Sequence, residues 1–155
     1  MDKMIEKSVG IGEVRVDQGD VILAAYGVGS CVVIVLYDAV FKIGGLAHVM
    51  LPLGNDTSSR YPKGALKKML QHMSTRGVSQ RDITAKIVGG ASMFDIFKRH
   101  RIGKQNVERT RKELRTLGIP IVAEDVFGHW GRSVFFNLAN GEVLVRSCKC
   151  GDNIL

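Results

Sequence analysis

The chain reads as a layered α/β (α+β) sandwich, with mainly antiparallel sheets and about two main helices packed on them. Three observations predict this. Short β-branched and apolar runs outnumber helical patterns. Most of these runs follow one another across short polar or glycine-bearing turns, a connection that suits antiparallel pairing. Only two stretches repeat apolar residues at helical spacing, and each is long enough to cover a sheet face. With 155 residues, 45% hydrophobic and 24% charged, the chain suits one domain over 1–155 with its own core.

Taken in order, Val9 to Asp17 is the first predicted strand, because Val14 and Val16 alternate with Glu13, Arg15 and Asp17. Gln18-Gly19-Asp20 turns the chain into a more buried strand, Val21 to Tyr26. Val32 to Tyr37 and Ile43 to Leu51 follow as a hairpin around Asp38-Ala39-Val40-Phe41-Lys42, and Pro52 to Pro62 is a polar loop. Ala65, Leu66, Met69, Leu70 and Met73 predict a helix over 63–76, stopped before Gly77. Its methionines read as core contacts. Ile83 to Val88 is a strand leading into Gly89-Gly90-Ala91-Ser92-Met93-Phe94. Gly103, Val107, Thr110, Leu114 and Leu117 share one face of a second helix, ended by Gly118 and Pro120. Ile119 to Ala123 is the next strand. Ser133 to Ala139 and Glu142 to Arg146 flank Asn140-Gly141, which predicts a two-residue type I′ turn. Residues 147–155 read as an exposed tail.

Composition narrows the function. No apolar run reaches eighteen residues and four of the first seven residues are charged, so neither membrane insertion nor a signal peptide is expected and a cytoplasmic setting is the default. Three cysteines suit a reducing compartment. Cys148 and Cys150 form a C-x-C without two further ligands nearby, so no metal is expected there. The net charge of +7 is concentrated between Lys98 and Arg115, where eight Lys/Arg face only Glu108 and Glu113. Such a stretch suits a solvated helix face, a nucleic acid, an anionic membrane surface or an acidic protein partner. Aromatics are not interleaved with it, so nucleic acid is not the expected partner.

The chemistry gathers at Gly27-Val28-Gly29-Ser30-Cys31-Val32 and at His48, seventeen residues after the cysteine. A cysteine nucleophile needs its thiolate, and a neighbouring imidazole is the usual activator. The glycines allow a tight turn that aims N–H groups, those at Gly29 and Ser30 among them, at one point where an oxyanion would sit. A hairpin centred between Ala39 and Val40 pairs residues whose numbers total 79, which puts Cys31 opposite His48. A one-residue slip would separate them. Each element also has a plain structural reading: cysteine is among the most buried residue types, and a lone histidine on an apolar strand is commonly core. The turn is neither a Walker loop nor G-x-G-x-x-G.

Together these segments resemble the CheD family of chemoreceptor glutamine deamidases. The resemblance is carried by Gly27 to Val32, Gly44 to Pro52, Lys86 to Phe94, Ile102 to Val107, Ala123-Glu124-Asp125, Gly131-Arg132 and Gly141 to Arg146, over about 8–146. It implies an α/β sandwich related to toxin deamidases, with Cys31 as nucleophile and His48 as general base and acid. It also implies a glutamine side chain on receptor cytoplasmic helices as substrate, no cofactor, and a CheC-type phosphatase as partner. A catalytically weak regulator that binds the same partners is the alternative. Two positions depart from the family pattern. Ala25 stands where a threonine is expected to orient the imidazole, leaving Ser30, a backbone carbonyl or a water for that role. Phe127 stands where glycine is usual, and with His129 and Trp130 makes that loop bulkier.

Overall fold

The computed structural model describes residues 3–54, 57–93 and 101–155, so Phe94 and the cations Lys98 and Arg99 lie outside the described residues. Among the described residues, ten strands and two α-helices follow the order β1 (Ile5–Ser8), β2 (Val14–Gln18), β3 (Val21–Val28), β4 (Val32–Asp38), β5 (Ile43–Val49), α1 (Pro62–Thr75), β6 (Thr84–Gly89), α2 (Ile102–Leu117), β7 (Ile121–Val126), β8 (Arg132–Asn137), β9 (Val143–Ser147) and β10 (Gly151–Ile154).

The strands make two five-stranded sheets, ordered β1-β3-β8-β9-β10 and β2-β5-β4-β6-β7. Described pairings are antiparallel except β1 with β3 and β6 with β7. Three layers result. Leu23, Val33, Val35, Leu46, Val134 and Phe136 fill the space between the sheets. Val32, Ile34, Leu36, Met69, Val107 and Leu114 fill the space between the second sheet and both helices. Alternate residues of β4 therefore enter different cores, which is why that strand reads as a continuous apolar run. Removing each such side chain from water stabilises by roughly 1.5–3 kcal/mol, so β4 and β5 form the fixed centre on which the loops stand.

Three expectations need correction. The first predicted strand, Val9 to Asp17, forms only from Val14: β2 lies in one sheet, and a strand ahead of the predicted one, β1, runs parallel to β3 in the other. Gly12, at φ 81°, turns the chain between them. Residues 147–155 are no tail, since β10 pairs with β9, and Leu155 exchanges two backbone hydrogen bonds with Val143. Gly-Asp-Asn-Ile is poor in strand-forming residues, so only the ladder reveals this edge. The β8–β9 turn spans four residues, closed by Asn137 N–H on the Glu142 carbonyl. A type I′ turn is blocked because Leu138 is fully buried and its N–H still donates to Val21 O; only Gly141, at φ 79°, is left-handed.

Candidate active site

The chain leaves β3 at Val28 and bends through Gly29, Ser30 and Cys31 before β4 begins. Three consecutive carbonyls of this bend are held from the helix side. Ala91 N–H donates to Gly29 O at 2.9 Å, Asn106 Nδ2 to Ser30 O at 2.9 Å, and Gly90 N–H to Cys31 O at 2.8 Å. In a trans peptide N–H and C=O point in opposite directions, so the N–H groups of Ser30 and Cys31 face away from these anchors. Gly89 makes the fit possible: at φ 115°, a Cβ there would lie 2.3 Å from Cys31 O. The Cys31 side chain is half-buried against the inter-sheet core. Burial pushes its thiol pKa up, while a hydrogen bond from its own backbone N–H pulls the other way.

His48, on β5, is 1% exposed. Its Nδ1 lies 3.4 Å from Val9 O. A carbonyl only accepts, so Nδ1 carries the proton and Nε2 the lone pair. Nε2 is buried and has no partner. Burial holds the imidazole pKa below its ordinary value, opposed by the bond to Val9. Val9 is itself fixed, its N–H donating to Ala24 O at 2.7 Å. Ala25 is fully buried and contributes a methyl only; the Val9 carbonyl supplies the polar contact on the ring.

The hairpin forms, but in another register: Val33 pairs with His48, so paired numbers total 81. Asp38 sets this, its Oδ1 accepting from the N–H groups of Val40 and Phe41 and starting a four-residue turn. The displacement is two residues, which preserves facing. Cys31 precedes Val33 by one alternation and packs on the core that Val33 enters. Thiol and imidazole are therefore diagonal neighbours on one side of the hairpin. No hydrogen bond joins them among the described residues, and burial of each favours its uncharged form. Gly29 and Ser30 lie in the same bend.

Sequence reasoning missed Asn106, which crosses from α2 to the bend. The available signal was a polar residue on the apolar face shared by Gly103, Val107 and Thr110. It also missed the Gly89-Gly90-Ala91 backbone that holds the cysteine loop.

Beside the bend lies the 127–131 loop. Phe127 has φ 71°, its N–H donates to Gly89 O at 2.9 Å, and the Arg111 guanidinium sits 5.3 Å over its ring. Left-handed backbone costs an ordinary residue about 1–2 kcal/mol. Phe127→Ala keeps that strain and loses the ring, so Phe127→Gly is expected to be more stable than Phe127→Ala by about 1 kcal/mol in urea unfolding. The ordinary preference for alanine over glycine would mean that the strain is absent.

Acids occupy part of the basic stretch: Arg111 pairs with Glu124, Arg109 with Glu113, and Lys104 with Glu108. Cys148 and Cys150 are exposed between β9 and β10. Among the described residues, no group of three or more His, Cys, Asp or Glu is placed to hold a metal, and no helix is long and apolar enough to cross a membrane.

Comparison with known proteins points one way. A family described as CheD chemotactic sensory transduction matches residues 50–147. The Probable chemoreceptor glutamine deamidase CheD of Pyrococcus horikoshii is 41% identical over 155 residues, covering 96% of each chain. The Chemoreceptor glutamine deamidase CheD of Thermotoga maritima is 38% identical, covering 97% of each. A relative in Archaeoglobus fulgidus, Probable chemoreceptor glutamine deamidase CheD, reaches 45% over 93% of this chain and 94% of its own. Among solved structures, the Bacillus licheniformis hypothetical protein YfiH is similar at a TM-score of 0.47 and 20% identity, over 72% of this chain and 49% of that one.

Proposed function

Because this chain belongs to the CheD family, we propose that it is a protein-glutamine deamidase acting on the cytoplasmic helices of chemoreceptors, as one domain in the cytoplasm. What supports this reading is a half-exposed Cys31 on the same side of the hairpin as a tautomer-fixed His48. Nδ1–H is committed to Val9 O, so Nε2 is free to take a proton.

The steps follow from those atoms. Nε2 accepts the Cys31 proton as Sγ attacks the glutamine Cδ. The developing oxyanion is met by backbone N–H groups of the bend, with that of Cys31 among them. The C–N bond breaks, and the imidazolium gives its proton to the departing ammonia. His48 then takes a proton from water, which attacks the thioester; glutamate leaves and the thiol is restored. Thiol, imidazole and water balance the reaction, so no cofactor is required.

A second reading has one observation in its favour. Ala25 offers no hydroxyl to the imidazole, and the 3.4 Å contact to Val9 O is long. In that case the chain is a weakly catalytic regulator binding receptors and a CheC-type phosphatase. Intact-mass analysis of a receptor cytoplasmic fragment separates the two. Deamidation adds about one dalton and one negative charge per site, because –NH2 becomes –OH, which is ionised at neutral pH. A shift with the native chain that disappears with Cys31→Ala supports the enzyme. No shift, with receptor or phosphatase binding retained, supports the regulator.

A further inference from the structure

Asn106 is fully buried on the face of α2 that meets the sheet. Its Nδ2 donates to Ser30 O at 2.9 Å and to Met50 O at 3.1 Å. Two carbonyls can only accept, so the amide orientation is determined. Ser30 O belongs to the peptide whose N–H is that of Cys31. Met50 lies two residues beyond His48. One carboxamide therefore joins the chain that delivers the thiol to the chain that delivers the imidazole. The close seat of α2 permits it: a Cβ on Gly103 would lie 2.4 Å from Ala91 O. Asn106 Oδ1 is buried without a partner. A residue serving packing alone would do better with an apolar side chain, as Val107 has beside it.

We infer that Asn106 is a positioning residue for the thiol. By holding Ser30 O it turns the Ser30–Cys31 peptide so that Cys31 N–H faces the reacting carbonyl, and by holding Met50 O it fixes the separation of Sγ from Nε2. This rests on the deamidase reading, and the hydrogen bond that Cys31 N–H offers its own sulfur agrees with the direction of that N–H.

The test uses the full chain carrying Asn106→Ala or Asn106→Ser, below the melting temperature of each, with rates expressed per folded molecule. Two readouts are taken. The first is kcat and KM for deamidation of a receptor cytoplasmic fragment. The second is the rate of Cys31 alkylation by iodoacetamide against pH, read by peptide mapping so that Cys148 and Cys150 do not interfere. A misaimed oxyanion donor lowers kcat by about 100-fold with KM within about threefold. It also moves the half-maximal pH for Cys31 alkylation upward, because the thiolate loses its aligned N–H. Unchanged kcat, or a loss confined to KM, overturns the inference. If the native chain deamidates no fragment, the functional proposal fails while the alkylation readout still decides Asn106: an unchanged profile in both variants overturns its role.

Discussion

Replacing His48 with glutamine is expected to lower kcat/KM for deamidation by about 10²–10⁴-fold, the usual contribution of a positioned acid–base group, with the fold retained. The glutamine amide is close to the imidazole in size and places its nitrogen near the position of Nε2, but it cannot carry a proton from thiol to ammonia. The pH profile sharpens the test. Burial penalises the imidazolium and holds the His48 pKa below its ordinary 6.5. The base form therefore persists through neutral pH, and activity falls only on acidification, with an inflection below 6.5. In His48→Gln that acid limb should disappear along with most of the rate. Burial also raises the Cys31 pKa, so the reactive form at pH 7 is thiol plus imidazole rather than a preformed ion pair. An acid limb centred above 7, or a glutamine variant with native activity, would overturn this assignment.

The parts of the molecule legible from sequence are those governed by local periodicity. Val32 to Asp38 and Ile43 to Val49 announce themselves as strands, and the Gly103-Val107-Thr110-Leu114 spacing announces α2, because burial on a regular element imposes a regular pattern. Facing was legible while register was not. Whether Cys31 pairs with His48 or lies diagonal to it depends on the Asp38 carboxylate choosing a four-residue turn, a choice that apolar content does not encode. β1 and β10 were illegible because their pairing partners are distant or adjoin a cysteine-bearing turn. The orienting contact on His48 comes from the Val9 main chain; a carbonyl leaves no side-chain signature, so a threonine's absence at Ala25 was visible and its replacement was not. Charge was the least reliable guide. Arg111 counts toward a basic surface in sequence, yet it pairs with Glu124 and covers the Phe127 ring, leaving exposed Lys112 and Arg115 as the better candidates for contact with an acidic partner.

Arg132→Met is expected to have the largest effect on stability, about 3 kcal/mol, at the lower end for breaking a buried pair because Asp125 is 19% exposed. The Arg132 side chain is 1% exposed. Its Nε donates to Asp125 Oδ1 at 2.9 Å and its Nη2 to Phe127 O at 2.8 Å, while Asn153 Nδ2 donates to the other Asp125 oxygen at 3.0 Å. This group closes one end of the sandwich, linking β7 of one sheet to β8 and β10 of the other, and it holds the loop whose Phe127 N–H braces Gly89. Methionine fills the volume but leaves the Asp125 carboxylate with only Asn153 and the Phe127 carbonyl without its donor. Asp125→Asn removes the charge that Arg132 was neutralising and should cost less, since the guanidinium keeps Phe127 O. In the double variant neither charge is stranded, so its loss should be smaller than the two single losses together by at least 1 kcal/mol in urea unfolding. Additivity within about 0.5 kcal/mol would mean that the two residues act independently, and the closure would then rest on the strand ladders alone.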